Sequence, residues 1–200
     1  MTTSTLQRPA TTDVTWRRLI WLGTVVAAIG LVVLGVTMTF WTTSSGGDFT
    51  YDADYWLTAP ALPIGVGLML HAFAVHHLQH GRDGRLGTIG VWAFAACSSV
   101  IVVQCMASLV AGAELRWGPS YPLCALGSFI GLALLAAGSW RSGLLARWML
   151  GIWPPLMLLG SWAGQSLIPL VLAVFLAASS RATTRPPTDI GTTETPAAPV

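Results

Sequence analysis

The side chains best suited to bind a metal ion or to exchange a proton lie in one segment, 71–80 (HAFAVHHLQH), which contains all four histidines of the chain. On a helix, His76 and His80 are one turn apart, so their imidazoles can share a metal ion, and His77 projects from the same side. Asp83 adds a carboxylate just beyond the segment. One hypothesis is therefore a metal site of His76, His80, His77 and Asp83. The preferred interpretation is that these imidazoles anchor a helix end in a lipid headgroup region.

His71 is different, because it lies about 18 Å from the start of its apolar run, within the hydrocarbon of a bilayer. No Asp or Glu occurs in any of the apolar runs, so no carboxylate is available at that depth. We expect a neutral imidazole, because burial disfavours the charged form, with hydrogen bonds to the next helix. Its preferred role is structural, and the alternative is contact with a proton or a substrate. The candidate intramembrane polar site consists of His71, Gln104, Ser98, Ser99 and Ser108.

Haem is a further ligand to consider, since membrane cytochromes hold it between histidines of facing helices. All histidines of this chain share one segment, so a single chain cannot supply two such ligands. Ligation would need a histidine with Met38 or Met106, or two chains. No cofactor is therefore predicted, and a metal ion or haem is the alternative.

The composition is that of an integral membrane protein. Hydrophobic residues make up 54% of the chain and charged residues 9%, whereas soluble proteins carry about 25% charged residues. Lysine is absent, which excludes chemistry that uses a lysine amine, such as a retinal or pyridoxal Schiff base. The apolar residues form long runs, and about 20 such residues span the hydrocarbon core as a helix. The expected partner is a lipid bilayer, and no nucleic acid partner is expected.

These runs predict an all-α fold, a polytopic transmembrane helix bundle of about six spans. The last two spans are short, and a re-entrant hairpin or one bent span is the alternative there. Polar residues 1–15 and Pro/Thr-rich residues 181–200 predict disordered tails on either side of a transmembrane domain at 16–180. The predicted spans are 19–41, 58–80, 88–113, 122–140, 147–160 and 166–180.

The arginines predict how these spans are threaded, because arginine is retained on the cytoplasmic side of short loops. With six spans and a cytoplasmic N-terminus, nine of the ten arginines are cytoplasmic and Arg116 is outside. A single span over 148–180 would leave only seven of them cytoplasmic, so six spans are the better prediction. The sequence therefore predicts a multi-pass protein of the cell membrane with both termini in the cytoplasm.

Two pairs of small residues predict helix contacts. Cys105 and Cys124 are expected near the outer face on consecutive antiparallel spans. We interpret them as apolar packing residues, and a disulfide between them is the alternative. Gly127 and Gly131 form a GxxxG step that lets helix backbones approach closely. We expect the step to pack helices within the bundle, and a homodimer is the alternative.

The sequence has no motif of a known enzyme class. It contains no GxSxG, HExxH, P-loop or GxGxxG pattern, and no histidine follows residue 80 to assist Ser161 as a nucleophile. The Thr/Pro-rich tails and the segment GLLARW resemble small multi-span bacterial membrane proteins, without a specific motif that transfers a residue role. The sequence favours a non-enzymatic accessory or interaction component of the bacterial inner membrane, in a homo-oligomer or with another membrane protein. The alternatives are a small transporter with a polar site around His71 and Gln104, and a metal- or haem-binding redox protein.

Overall fold

The computed structural model of the chain describes residues 10–41, 48–79, 81–115, 117–162 and 167–184. These residues form seven α-helices and one π-helical turn, and they contain no β-strand, which confirms the all-α prediction. The helices are α1 (Ala10–Phe40), α2 (Asp52–Thr58), α3 (Ala61–Leu78), α4 (Gly84–Ala111), α5 (Ser120–Ser139), α6 (Arg147–Met157) and α7 (Ile168–Thr184), with the π turn (Leu158–Trp162) after α6.

Four helical stretches are long and apolar enough to cross a membrane. They are Asp13–Phe40, Asp52–Leu78, Gly84–Ala111 and Ser120–Ser139. The predicted fifth and sixth spans correspond to α6 with its π turn and to α7, which are shorter.

The helix ends differ from the predicted ones. α1 begins at Ala10, so residues 10–15 are helical although their composition predicted a disordered tail. Asp13 lies in the first turn of α1, where a carboxylate favourably meets the positive end of the helix dipole. α7 continues past residue 180 to Thr184. The other parts of the predicted tails, 1–9 and 185–200, lie outside the described residues, as do His80 and Arg116.

Each long helix runs antiparallel to the neighbours on which it packs, so the bundle has two ends that differ in charge. We call them the basic end and the acidic end. The basic end carries Arg17, Arg18, Arg82, Arg85, Arg141, Arg147 and Arg181. The acidic end carries Asp48, Asp52, Asp54 and Glu114.

Two helix pairs pack with backbone against backbone, α1 with α3 and α4 with α5. A Cβ on Gly23 of α1 would lie 2.7 Å from the carbonyl oxygen of Gly67 on α3. A Cβ on Gly131 of α5 would lie 2.5 Å from the backbone nitrogen of Phe94 on α4. No side chain fits at such distances, so glycine at these positions sets the spacing of the helices.

The second glycine of the GxxxG step also faces α4. A Cβ on Gly127 would lie 2.5 Å from Sγ of Cys97. Both Gly127 and Gly131 thus lie in the contact between α4 and α5, inside the bundle.

The acidic end is closed by backbone contacts of the segment before α2. Asp54 is 3% exposed and accepts hydrogen bonds from the backbone N–H groups of Thr50 (3.0 Å) and Tyr51 (2.9 Å). The Phe49 N–H donates to the Gly112 carbonyl at the end of α4 (2.9 Å). Asp54 therefore has a structural role in holding this segment against the bundle.

α6 contains two adjacent prolines, and the helix widens into the π turn beyond them. Pro154 and Pro155 have no N–H, so carbonyl groups one turn earlier lose their helical donors. The segment ends at Trp162, whose carbonyl accepts a hydrogen bond from the Tyr121 hydroxyl of α5 at 2.7 Å. This bond fixes the end of the π turn against the first turn of α5, at the acidic end.

The last helix lies along the first. Arg17 of α1 donates from its guanidinium to the Thr183 carbonyl in the last turn of α7 at 2.6 Å. Near the other end, a Cβ on Gly35 would lie 3.0 Å from the Leu170 side chain. The two helices are therefore antiparallel, and α7 follows α1 from one end of the bundle towards the other.

Candidate functional site

His71 lies in the interior of the bundle, where α1, α3, α6 and α7 meet. It is 0% exposed. Its Nδ1 is hydrogen-bonded to the Thr24 hydroxyl of α1 at 3.0 Å, and its Nε2 lies 3.4 Å from the Ser179 hydroxyl of α7. Trp153 of α6 packs edge-on against it, with ring centroids 5.4 Å apart. One imidazole thus contacts three other helices.

The hydrogen bonds around His71 fit a neutral imidazole. Ser179 donates its hydroxyl proton to the Leu176 carbonyl at 2.8 Å, so it is available as an acceptor for Nε2–H. The Thr24 hydroxyl can then donate to an unprotonated Nδ1. Both ring nitrogens have neutral partners, which satisfies a buried imidazole without a charge. These hydrogen bonds connect α3 to α1 and to α7, and they use both ring nitrogens of His71.

Two of the serines predicted to accompany His71 make other contacts. Ser98 is buried, and its hydroxyl lies 3.2 Å from the Ser128 hydroxyl of α5. Ser99 donates to the Ala95 carbonyl within α4 at 2.8 Å. The first contact packs α4 on α5, and the second is local to α4.

Gln104 and Ser108 hold the connection between α4 and α5 at the acidic end. The Gln104 amide nitrogen donates to the Leu115 carbonyl (2.8 Å), and its oxygen accepts from the Ser120 hydroxyl (3.0 Å). The Ser108 hydroxyl accepts from the Leu115 N–H at 3.1 Å. The structure therefore separates His71 and Gln104, which the sequence analysis grouped in one site.

A second polar cluster lies at the basic end, in the turn between α3 and α4. His76 donates from Nδ1 to Oδ2 of Asp83 at 2.5 Å. The Asp83 side chain is 0% exposed and the His76 side chain 17%. The carboxylate lies against the first turn of α4, where a Cβ on Gly87 would be 2.0 Å from Oδ2. This turn therefore holds a buried carboxylate whose hydrogen-bond partner is an imidazole at the surface.

Gln79 extends this cluster to α5. Its amide nitrogen donates to the Ser139 hydroxyl at 2.7 Å, and Ser139 donates to the Leu135 carbonyl at 2.6 Å. Within the described part of the chain, Oε1 of Gln79 and Oδ1 of Asp83 are buried and have no hydrogen-bond partner. Buried acceptors of this kind normally meet a donor, a water or an ion. These two oxygens can therefore accept a hydrogen bond from a further donor or contact a cation.

Three of the four predicted metal ligands lie in this region. The His77 ring has its centroid 5.4 Å from that of His76, and it stacks on Trp16 of α1 at 4.1 Å. The fourth, His80, is outside the described residues. Across the described ranges, no group of three or more His, Cys, Asp or Glu side chains is already arranged to hold a metal ion.

The three cysteines are free thiols. Cys124 of α5 contacts the thiol of Cys97 on α4, and Cys105 lines a cavity. The disulfide between Cys105 and Cys124, which the sequence analysis gave as the alternative, is not formed, and Cys124 lies beside Cys97 instead.

A cavity of about 170 Å³ lies in the half of the bundle near the acidic end. Its walls include Met38 of α1, Ile64 of α3, Cys105 of α4, Tyr121 of α5 and Trp162 of the π turn. The walls are mainly apolar, with a thiol and a phenol among them. This cavity adjoins the π turn that follows Pro154 and Pro155.

The sequence analysis missed the partners of His71, which include Thr24, Trp153, Ser179 and the backbone of Ile20. A signal for one of them exists, because Thr24 follows Gly23, and His71 lies one turn beyond Gly67 on α3. A polar residue beside a glycine at a close helix contact is well placed to bond across that contact. Nothing local in the sequence marks Ser179 or Trp153 as neighbours.

Comparison of the chain with protein-family models, with curated proteins and with solved structures finds no match. Its function has to follow from the residues and contacts described above.

Proposed function

We propose that this chain is an integral protein of the bacterial inner membrane, with six transmembrane helices and both ends in the cytoplasm. We assign it a non-enzymatic role as an accessory or interaction component. The observation that carries this role is the environment of His71, whose two ring nitrogens are occupied by hydroxyl groups of two other helices. An imidazole held in this way strengthens helix packing and is shielded from solvent.

The arrangement of the last two helices supports six spans. α7 follows α1 from Leu170, beside Gly35, to Thr183, beside Arg17. Its 17 residues reach about 25 Å, close to the hydrocarbon thickness of about 30 Å. The segment from Arg147 to Trp162 begins at the basic end and finishes beside Tyr121, at the acidic end. Both elements therefore extend between the two ends of the bundle.

The charge difference between the ends supports the orientation. Arginines near span ends are retained in the cytoplasm, whereas Asp and Glu contribute little to orientation. The basic end, with its seven described arginines, is accordingly proposed to face the cytoplasm.

The outward faces of the helices support contact with lipid or with other membrane helices. Large apolar side chains are exposed there, such as Ile29 (61%), Val110 (91%) and Val174 (70%). In a bilayer these side chains are covered by acyl chains or by the helices of a partner.

Thiol labelling in native membranes tests the proposal. In a background with Cys97, Cys105 and Cys124 replaced by alanine, Thr24→Cys places a thiol beside His71. Two control variants place one at each end, Thr50→Cys at the acidic end and Ala146→Cys at the basic end. A membrane-impermeant maleimide should label Thr50→Cys in intact cells, Ala146→Cys only after permeabilisation, and Thr24→Cys in neither case.

Two results would overturn parts of the proposal. Labelling of Thr24→Cys from either side would show a water path to His71, which a transporter needs and a packed bundle does not. Labelling of both control variants from the same side would contradict the antiparallel threading and the orientation.

The accessory role predicts a stable complex. Extracted in a mild detergent at its native expression level, the 21.1 kDa chain should migrate in a particle larger than its own monomer or dimer. Migration as a monomer alone would contradict this role.

The cavity near the acidic end supports a small transporter as the second candidate. It adjoins a π turn, and single π turns inside α-helices are frequent at functional sites. Its site would be the cavity walls at Met38, Cys105 and Trp162, in place of His71 and Gln104. Uptake of label by Cys105 from the acidic side, blocked by a transported solute, would favour this candidate.

A further inference from the structure

We propose that His76 and His77, with Asp83 as the residue that orients His76, bind one Zn²⁺ ion at the basic end of the bundle. This inference does not rest on the proposed function, because it concerns a different end of the molecule and a different property.

The contact between His76 and Asp83 is the first step of the argument. A histidine that binds a metal through one nitrogen usually donates the N–H of its other nitrogen to a carboxylate or a carbonyl. His76 donates from Nδ1 to Oδ2 of Asp83. In the neutral ring, this hydrogen bond leaves the lone pair on Nε2, and the ring is 17% exposed, so an ion can reach it. Asp83 thus fixes both the tautomer and the direction of the ring.

The position of the second imidazole is the next step. Zn²⁺ binds histidine nitrogen at about 2.0–2.1 Å in tetrahedral geometry, which separates the centroids of two ligating rings by about 5 Å. The rings of His76 and His77 are 5.4 Å apart, with an interplanar angle of 58°. Their separation therefore suits two ligands of one ion. Water completes the coordination, so the site should exchange its ion more readily than a closed four-ligand site.

The charge at the turn is the third step. The Asp83 carboxylate is fully buried, and its Oδ1 has no hydrogen-bond partner among the described residues. A buried anion is costly unless a positive charge compensates it, and a cation bound to His76 supplies such a charge. Arg82 and Arg85 flank the turn, but both are exposed, and salt screens their repulsion of the ion.

Titration calorimetry of the full chain, purified in detergent with a tag that contains no histidine, tests the proposal. The probe is Zn²⁺ alone, with Mg²⁺ as the comparison because it prefers oxygen ligands. We expect one Zn²⁺ per chain and no measurable Mg²⁺ binding. His76→Gln and His77→Gln should each lower the affinity for Zn²⁺ at least tenfold, because each removes one of two ligands.

Asp83→Asn tests whether the orientation of the His76 ring contributes to Zn²⁺ affinity, because it leaves both histidine ligands in place. Loss of an orienting carboxylate typically lowers metal affinity about 10–100-fold. The matched control is Asp52→Asn, which neutralises an exposed carboxylate at the opposite end and should leave the affinity unchanged. Zn²⁺ should also raise the Tm of the wild type and leave that of His76→Gln unchanged.

Two results would overturn the proposal. One is a wild type that binds no Zn²⁺, and the other is equal affinity in the wild type and in His77→Gln. His77 is exposed, so its replacement leaves the fold intact and keeps the test decisive even if His76→Gln unfolds. Neither result affects the thiol-labelling test of the proposed function, since that test reports on positions 24, 50 and 146 and uses no metal.

Discussion

His71 and His76 lie five residues apart on α3, and the structure gives them opposite environments. His71 is 0% exposed and bonded to two hydroxyl groups. His76 is 17% exposed and bonded to a carboxylate that is itself fully buried. Around His71 the histidine and both hydroxyl partners are buried, whereas in the second pair only the carboxylate is fully buried. The comparison teaches that the free-energy cost of removing one hydrogen-bond partner depends on whether the partner that remains is buried away from water.

The largest effect is expected from His71→Ala. It removes a ring from a packed site between four helices and leaves a cavity, so we expect a loss of about 2–4 kcal/mol in the free energy of unfolding. Thermal unfolding in detergent, followed by circular dichroism, measures this loss. The matched control is His77→Ala, an exposed ring stacked on Trp16, which should cost about 0.5 kcal/mol. Equal losses in the two variants would remove the distinction between interior and surface histidines.

The next effect is an asymmetry between the two partners at the basic end. His76→Ala leaves the Asp83 carboxylate buried without its partner, which should cost about 1–3 kcal/mol in unfolding free energy. Asp83→Asn removes the buried charge and keeps an oxygen that can accept from His76, so we expect a loss below about 1 kcal/mol. The double variant should resemble Asp83→Asn alone, because it no longer buries a charge. Unfolding of all three under one set of conditions tests this, and a larger loss in Asp83→Asn would reverse the argument.

The smallest effects are expected from the hydroxyl partners of His71. Thr24→Val keeps the shape of the side chain and removes a 3.0 Å hydrogen bond, so we expect a loss of about 1 kcal/mol in unfolding free energy. Ser179→Ala removes a 3.4 Å contact and should cost about 0.5 kcal/mol or less. A loss in Ser179→Ala that exceeds the loss in Thr24→Val would show that the contact to α7 is the stronger one.

The contact between α4 and α5 contains no histidine, so a substitution there tests the helix packing independently of the histidines. Gly131→Val should destabilise the protein by about 1–3 kcal/mol, because its side chain meets the α4 backbone at Phe94. Gly151→Val is the matched control, since a Cβ there meets no atom within 4 Å. Unfolding in detergent of the two variants measures the difference, and similar stabilities would contradict the backbone contact.

The four long helices could be predicted from the sequence, because each follows an apolar run long enough to span a bilayer. The hydrogen bond between Nδ1 of His71 and Thr24 could not, because it depends on which helix lies beside α3 and at what height. Periodicity along one helix fixes the face of a residue and carries no information about the neighbouring helix. The sequence favoured hydroxyl partners for His71 on α4, the next helix in the chain, whereas they come from α1 and α7.

The contact of His76 with Asp83 was easier to predict, since the two residues are close in sequence, at the end of α3 and in the turn that follows it. The short α2 and the π turn were harder. α2 depends on the Asp54 carboxylate, which accepts two backbone N–H groups, and the π turn follows two prolines whose effect on the helix depends on the surrounding side chains.

The hydrogen bond between Arg17 and Thr183 has a consequence for biosynthesis. The two residues are separated by 166 positions, so α1 is made long before the carbonyl that its arginine binds. Ser179, the partner of His71 on α7, is likewise synthesised after the six preceding helices. Until then the contacts of α7 with Arg17 of α1 and with His71 of α3 are missing. The packing of α1 and of His71 is therefore complete only after α7 has been synthesised.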